Sequence, residues 1–577
     1  MSQKIIKRRP LVTPTFTDAN LHPVLQRIYA LRGVRSEKDL EKGLDNLIPY
    51  HALMGIEAAV LCLAESLRLQ ERILIVGDFD ADGATSTAVA VRALRSLGAE
   101  HVDYLVPNRF TNGYGLTPEL VAVAKELAPQ LIVTVDNGIA NHAGVDAAKA
   151  LGIKVLITDH HLAGATLPLA DVIVNPNQPN DTFPSKSIAG VGVIFYVMLA
   201  LRRHLAEQNW FATRGIPEPV MAKFLDLVAL GTVADVVSLD KNNRVLVHQG
   251  LRRIRAGQCV PGITALLEIA NRNQARIVAQ DLGFAVAPRL NAAGRLDDMA
   301  FGIECLLSDD LGQAREMAAV LSQMNDERRE IEHDMQEQAM QILQKIKTDK
   351  TESLPRGLCL FEPEWHQGVI GILASRIKDK FHRPVIAFAL ANPTEIKGSA
   401  RSVSGVHIRD VLAHIDAQHP GLITKFGGHA MAAGMSMPLA SYAPFAKAFD
   451  KAVSALLSEE AMQLILSTDG ELAPLECNLE LAEVLREAGP WGQSFPEPLF
   501  DGRFQIVEQR LVGNKHLKMV LQCGDKVIDA IAFNIDTEVW PNYRCETVQI
   551  AYRLDVNEFR GRRSVQLMID HLEEVSC

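Results

Sequence analysis

The sequence predicts an α/β protein built from a parallel-sheet domain and a smaller second α/β domain, joined by a long helix and followed by a C-terminal OB-like β-barrel. Three observations predict it. Between residues 51 and 235, continuous apolar runs alternate with helical segments, the pattern of strands buried on both faces and joined by crossover helices. Residues 311–350 form a long polar run with few turn signals, which reads as one exposed connecting helix. Residues 465–577 change to short alternating runs separated by turns, the signature of a small barrel.

Residues 1–50 read as a helical lead-in: HPVLQRIYALRGV has apolar residues at helical spacing, and Ser36 to Asp39 resembles a capping box. The domain at 51–242 contains the strands ILIVGDF, VDYLV, LIVTVDNG, VLITDHH and VIVNP. A helical region and the long helix occupy 243–350. The second α/β domain, 351–464, starts with strand GLCLFEP, helix GVIGILASRIKDKF and strand PVIAFAL, and continues into segments read as glycine-rich turns, GSARSVSG and FGGHAMAAG. Five strand-like runs, from GRFQIVEQRLV to RRSVQLMI, fall within the barrel region 465–577.

At 577 residues there is material for several cores, and 48% hydrophobic with 22% charged residues is a globular composition. No run is long and apolar enough to span a membrane, and the basic start lacks a secretory signal's apolar core, so a cytoplasmic location is expected. Eight scattered cysteines with no CxxC pair argue against a zinc ribbon or disulfide framework. A net charge of −10 disfavours a passive DNA-coating protein, although carboxylates that carry metal ions count as negative here.

The acids fall where the apolar runs end. Asp78, Asp80 and Asp82 follow the first strand, Asp136 closes LIVTV, and Asp159 opens DHH at 159–161. Each alone has a bland reading: a solvated turn for DxD or DNG, a cap for Asp235. Crowded carboxylates repel, and buried ones are costly unless paired or bound to metal. With His160 and His161 alongside and no thiolate, the set suits Mg²⁺ or Mn²⁺, in a pair able to activate water and stabilise displacement at phosphorus. Arg289, Asn291 and Arg295 read either as a polar helix face or as a capping segment, and Trp365 either as packing or as a base platform. Arg401 and the Gly427–Gly428–His429 turn form a candidate phosphate seat, and basic tips at 513–518 and 558–563 suit strand-backbone binding.

These motifs together resemble the DHH phosphoesterase family, and closely its bacterial RecJ branch. The resemblance rests on DFDADG at 78–83, VPNRFTNGYG at 106–115, DNG at 136–138, DHH at 159–161 and ADV at 234–236. PRLNAAGR at 288–295, WHQGVIGI at 365–372, GSARS at 398–402 and FGGHAMAAG at 426–434 extend it along the chain. It implies a single-strand-specific 5′-to-3′ DNA exonuclease of recombination and repair that uses Mn²⁺ or Mg²⁺, with two domains held by a long helix around a central opening. By motif it assigns Asp80, Asp82, Asp136, His160 and Asp235 as metal ligands. Asp78, Asp159 and His161 are implied as supporting catalytic residues around Asp136, with His161 near the scissile phosphate. It implies that Arg109, Arg289, Ser399 and Arg401 hold substrate phosphates, the terminal 5′ phosphate among them, and that His429 lies in a substrate-binding Gly427–Gly428–His429 turn; Asn291 and Arg295, from the helix-face reading, complete the expected substrate-binding set. The expected partner is single-stranded DNA, with a single-strand-binding protein and a recombination helicase as further candidates, no membrane, and a monomeric chain. Two other classes stay open: a phosphodiesterase of short oligonucleotides or cyclic dinucleotides, and a non-catalytic repair scaffold. The retained acids weigh against the scaffold.

Overall fold

The structure is a computed structural model that describes residues 4–14, 21–110, 113–349, 354–458, 462–559 and 561–575. It divides into two compact units: residues 9–325 with 469–577, and residues 1–8 with 326–468.

The chain begins with strand β1 (Lys4–Arg8), not with the helix expected of the lead-in. The strand pairs in parallel with residues 464–468, a long-range partner that local periodicity does not reveal. Pro23–Leu31 then forms the expected helix, and Ser36–Leu40 shrinks to a single 3₁₀ turn whose Asp39 carboxylate accepts from the Arg35 and Ser36 N–H groups.

The first α/β sheet contains β2 (Ile73–Val76), β3 (Val102–Leu105), β4 (Leu131–Val135), β5 (Lys154–Thr158) and β6 (Val172–Val174). All neighbours are parallel, in the order β3-β2-β4-β5-β6. Alternate residues of each strand feed opposite cores. Ile73, Ile75, Val133 and Val135 join the helices Ile56–Leu69, Ala81–Ser96, Gly190–Glu207 and Leu225–Ala234. Leu74, Val76, Ile132 and Ile157 join Pro118–Ala124 and His142–Ala150. Two buried faces explain the uninterrupted apolar runs. The order reverses between β2 and β4, and such a switch point leaves an open crevice at the strands' carboxyl ends.

The helix Leu311–Asp349 spans 39 residues, close to the predicted bounds. It is not simply an exposed spacer. Ala314, Ala318, Leu321, Asn325, Arg328, Glu332, Met335, Ala339 and Leu343 are buried at steps of three and four, a stripe hidden by the polar average. In the second unit, Met335, Ala339 and Leu343 pack with Trp365, Leu373 and Ile377 on one side of a five-stranded sheet. That sheet contains β7 (Leu358–Phe361), β8 (Val385–Asn392), β9 (Glu395–Arg401), β10 (Lys425–Gly428) and β11 (Ala432–Pro438), ordered β10-β11-β9-β8-β7. Helices Ile408–Gln418 and Tyr442–Leu456 cover the other face through Ile415, Phe445 and Phe449.

Two segments read as glycine-rich turns are in fact strands. GSAR lies within β9, and KFGG with AAGMSMP makes the hairpin β10–β11. Glycine normally argues against a strand, but at Gly398 an added Cβ would lie 2.5 Å from the Phe388 ring, so close packing requires it. The described part of this unit closes with β12 (Leu464–Thr468), the partner of β1.

The barrel contains β13 (Phe500–Val512), β14 (His516–Cys523), β15 (Lys526–Ala532), β16 (Thr547–Phe559) and β17 (Arg562–Glu574), closed in the order β13-β14-β15-β17-β16. The five strands arise from the five predicted runs, preceded by a helix, Leu479–Ala488, that the barrel reading omitted. The barrel shares one apolar core with the first sheet, through Trp491, Phe495, Leu517 and Tyr552. Tyr29 packs against Trp491 and Phe495, and Arg244 lies over the Phe495 ring. Arg32 donates from both terminal nitrogens to the Asp469 carboxylate at 2.6 and 2.8 Å, with both side chains almost fully buried. No single described helix is long and apolar enough to cross a membrane.

Breaking that ion pair strands a buried charge. Asp469→Ala is expected to cost about 3–5 kcal/mol of stability, measured by urea unfolding followed through tryptophan fluorescence. A loss below about 1 kcal/mol would contradict the pair's role in tying Pro23–Leu31 to the barrel segment.

Candidate metal centre

Asp80, Asp82 and Asp136 are aimed into the crevice by backbone chemistry. After β2 the chain passes Asp78 and turns at Asp80, whose Oδ1 caps the helix Ala81–Ser96 by accepting from the Asp82 and Gly83 N–H groups. The capping bonds occupy Oδ1, leaving Asp80 a second oxygen for the cluster. Asp82, on that helix's first turn, accepts from Gly190 and Val191 N–H at 2.7 and 3.0 Å. Those amides begin the helix Gly190–Glu207, so a helix N-terminus holds this carboxylate. Asp136 follows β4 with φ of +62°, a left-handed conformation uncommon outside glycine that aspartate, like asparagine, adopts more readily than most residues. Its carboxylate thereby turns into the crevice.

Sequence reasoning missed Gly190 and Gly231. A Cβ on Gly190 would lie 2.6 Å from the Asp136 Cβ, and one on Gly231 would lie 2.8 Å from Asp82 Oδ1. Small residues in AGVGV and ALGT were the available signal, but ordinary helix packing leaves the same mark.

The His160 Nε2 atom lies 3.1 Å from Asp136 Oδ1, 3.5 Å from Asp235 Oδ2 and 4.0 Å from Asp82 Oδ2. Neither His160 Nε2 nor Asp136 Oδ1 has a hydrogen-bond partner, although both are buried. They converge without the alignment of a hydrogen bond, as ligands facing a shared cation do. Ligand atoms of Asp82, His160 and Asp235 cluster within 4.8 Å of one another, as do those of Asp78, Asp80 and Asp136. These two triads share no residue and meet at the His160–Asp136 contact.

Electrostatics favour cations here. Burial and then neighbouring carboxylates push Asp78 and Asp136 well above the ordinary carboxylate range. The same causes raise Asp82 and Asp235 to about 7. The two triads bring together five carboxylates and one imidazole, with the Arg109 guanidinium beside Asp78 and Asp80, and hard oxygen donors of this kind suit Mn²⁺ or Mg²⁺. His160 is lowered by burial and by His161, which favours the neutral ring a metal requires. The residues fit a pair of divalent ions.

Asp159 and His161 form a supporting pair. Asp159 is buried, yet the charge and hydrogen bond of His161 hold its carboxyl at about 2. Burial opposes the imidazolium, but Asp159 Oδ1 at 2.7 Å from Nδ1 more than compensates and raises His161 to about 9. His161 Nε2 lies 3.3 Å from the Tyr114 hydroxyl, which is 3.4 Å from the Asp136 carbonyl. Asn175 and Asn177 donate to the His161 and His160 carbonyls, fixing the backbone of both histidines. Tyr114 and these asparagines were absent from the predicted site.

Arg109 packs its guanidinium over the Phe79 ring at 4.1 Å and donates to the Gly294 carbonyl. Residues 111 and 112 of its motif lie outside the described residues. Arg289 is buried and donates to Ser322 Oγ and the Ala285 carbonyl. Asn291 Oδ1 accepts from Ala81 N–H at 2.8 Å, so it braces the helix that carries Asp82. Arg295 is half-buried on the same helix, Ala287–Leu296.

In the second unit, Arg401 donates to Ser399 Oγ at 3.1 Å, and both side chains adjoin Gly371 at the start of the helix Ile370–Phe381. Ser399 pairs with Gly434, which pairs with Gly427, giving a row without bulky side chains. Gly428 has φ of +139°, and His429 is exposed at the hairpin tip. A cation, a hydroxyl and a helix N-terminus are chemically suited to an anionic phosphate. Trp365 is buried, with its indole N–H donating to Gln338 Oε1, so it packs and offers no base platform.

Comparison with known proteins gives the same reading along the whole chain. Residues 72–232 match the DHH family, N-terminal domain; 355–459 match the DHHA1 domain; 468–571 match the RecJ OB domain. The single-stranded-DNA-specific exonuclease RecJ of Dickeya dadantii is 56% identical over 98% of this chain and 98% of its own length. The crystal structure of RecJ from Thermus thermophilus in complex with Mn²⁺ superposes with a TM-score of 0.78 at 30% identity, covering 96% of this chain and 76% of that one. The Mg²⁺ complex of that protein gives a TM-score of 0.74 at 27% identity, covering 96% and 75%.

The raised carboxyls give a pH test with a definite sign. In the metal-free protein Asp82 and Asp235 hold protons up to about pH 7, whereas unfolded carboxyls lose them near 3.8. This contribution to stability is full below the unfolded value and is lost as pH rises through about 7, while metal binding displaces the protons. The thermal shift produced by Mn²⁺ should therefore grow from about pH 6 to about pH 8 by scanning calorimetry. A shift that is constant or shrinks with pH would contradict the assignment.

Proposed function

The chain belongs to the RecJ branch of the DHH family, and from that premise we infer that it is a single-strand-specific DNA exonuclease using Mn²⁺ or Mg²⁺. It hydrolyses phosphodiester bonds from the 5′ end, releases 5′-mononucleotides and serves recombination and repair. The observation that carries the chemistry is the pair of non-overlapping triads, Asp82–His160–Asp235 and Asp78–Asp80–Asp136, in contact through His160 and Asp136.

Two divalent ions bound there would supply an activated water and stabilise the entering and leaving oxygens of the displacement. The chain's own residues do the rest. Asp136 belongs to one triad and meets the other at His160, and its left-handed backbone sets the direction of its carboxylate. Asp159 holds the His161 ring so that Nε2 can donate to a phosphate oxygen. Arg109 supplies a fixed positive charge whose attachment to Phe79 and Gly294 limits its motion. Ser399 and Arg401, with the Gly427–Gly428–His429 hairpin, bind the terminal 5′ phosphate and so set polarity.

The barrel, fused into the core of the catalytic unit, favours long strands over dinucleotides as substrate. The chain works as a cytoplasmic monomer on strands supplied by a helicase and shielded by a single-strand-binding protein. Asp136→Ala should lower turnover by about 10²–10³-fold or more, the scale of losing one preorganised charge-stabilising group, while strand binding measured by anisotropy in EDTA persists. Near-normal turnover would remove Asp136 from the centre. Arg401→Ala should reduce the preference for 5′-phosphorylated over 5′-hydroxyl ends by about tenfold, and an unchanged rate ratio would refute the terminal-phosphate role. The function itself is tested with end-labelled single strands, blunt duplexes and 5′-tailed duplexes. Shortening should start at the free 5′ end of single strands and slow sharply at the duplex junction. Equal degradation of blunt duplex, or shortening from the 3′ end, would overturn the reading.

A further inference from the structure

Phe284 is 77% exposed, among the most exposed large apolar side chains described. It occupies the middle of a π-helical turn, Leu282–Val286, that runs directly into the helix Ala287–Leu296. The sequence explains the turn. Pro288 lacks an N–H and its ring would clash with the carbonyl four residues earlier, which belongs to Phe284, so the backbone widens there. The neighbours Leu282, Ala285 and Val286 are buried, and the widened turn leaves Phe284 outward.

The element that carries Phe284 is fixed against both sides of the metal centre. Gly283 packs against Val233, two residues before Asp235; a Cβ on Gly283 would lie 3.2 Å from Val233 Cγ1. Asn291 accepts from Ala81 N–H, and a Cβ on Gly294 would lie 1.9 Å from the Phe79 carbonyl oxygen. About seven residues of helix separate Phe284 from Asn291, roughly 10 Å at about 1.5 Å per residue. The ring is therefore carried on a support whose position is set by the ligand-bearing segments themselves.

We propose that Phe284 is a stacking platform for a nucleobase of the single strand entering the metal centre, a positioning residue that holds the strand through a base instead of a phosphate. The inference rests on the single-strand reading above. A flat aromatic face accepts any base, so the contact adds affinity without sequence preference. It also favours unpaired strands, because a base must leave its duplex stack to lie on the ring. Arg109 and the metal centre act on phosphates, so Phe284 would supply the contact that senses whether bases are free.

The test compares the full-length wild-type protein with Phe284→Ala and Phe284→Trp on two strands of equal length, one normal and one whose 5′-terminal stretch is abasic. On the normal strand Phe284→Ala should raise KM about tenfold, within the roughly 5- to 150-fold range expected for one stacked base, with a smaller change in kcat. Phe284→Trp should retain wild-type KM. On the abasic strand all three proteins should have the same KM, and anisotropy in EDTA should show the same pattern for binding. Wild-type KM for Phe284→Ala on the normal strand, or an equal loss on normal and abasic strands, would overturn the proposal. If wild type itself fails to shorten single strands, the functional reading fails first, and the inference with it.

Discussion

The repulsion among carboxylates gathered at the carboxyl ends of β2 and β4 is the constraint on which the rest of the catalytic unit depends. Buried acids at this density are stable only when protonated or neutralised by cations. The fold does not relieve the repulsion; it fixes it in place. A helix N-terminus holds Asp82, a left-handed residue turns Asp136, and the Asn291 amide braces the helix that carries Asp82. Glycines 190 and 231 let neighbouring backbone approach to contact distance. Each device makes sense if the unit is organised to hold two positive ions at one spot.

The supporting pair shows how the same environment serves opposite ends. Asp159 is as buried as Asp136, yet it stays ionised because His161 bonds directly to it. Asp136 has no such partner at Oδ1 and is driven upward by its neighbours. One carboxylate is thereby committed to orienting an imidazole, and the other is left open for a cation. The difference lies in the neighbours, the charge and hydrogen bond of His161 at Asp159 against further carboxylates at Asp136, and it sorts acids that look alike in the sequence into different roles.

Much of this was legible beforehand. Continuous apolar runs predict the parallel sheet because both faces are buried, and acids ending those runs mark the crevice because strand ends converge there. The 39-residue helix also follows from its lack of turn signals. What was not legible depended on contacts distant in sequence. Lys4–Arg8 becomes a strand only because residues 464–468 are available to pair with it. GSAR becomes a strand because the Phe388 ring needs a residue without side-chain bulk at Gly398, and FGG because it pairs across the hairpin with residues 433–435. The Asn291 carbonyl has a partner in the Ala81 N–H, a pairing across 210 positions that no local pattern encodes. Tyr114 stood within a quoted motif, yet its place 3.3 Å from His161 Nε2 emerges only in the folded chain.

The central claim is that these side chains form one centre for two divalent ions, with Asp136 at the junction. Equilibrium dialysis against Mn²⁺ at about pH 7.5, where fewer protons compete with metal at Asp82 and Asp235, tests it most directly, with bound metal counted by elemental analysis. The account predicts two ions per chain in the wild-type protein and fewer in Asp136→Asn with its fold intact by circular dichroism. One ion or none in the wild type, or two still bound after Asp136→Asn, would contradict it.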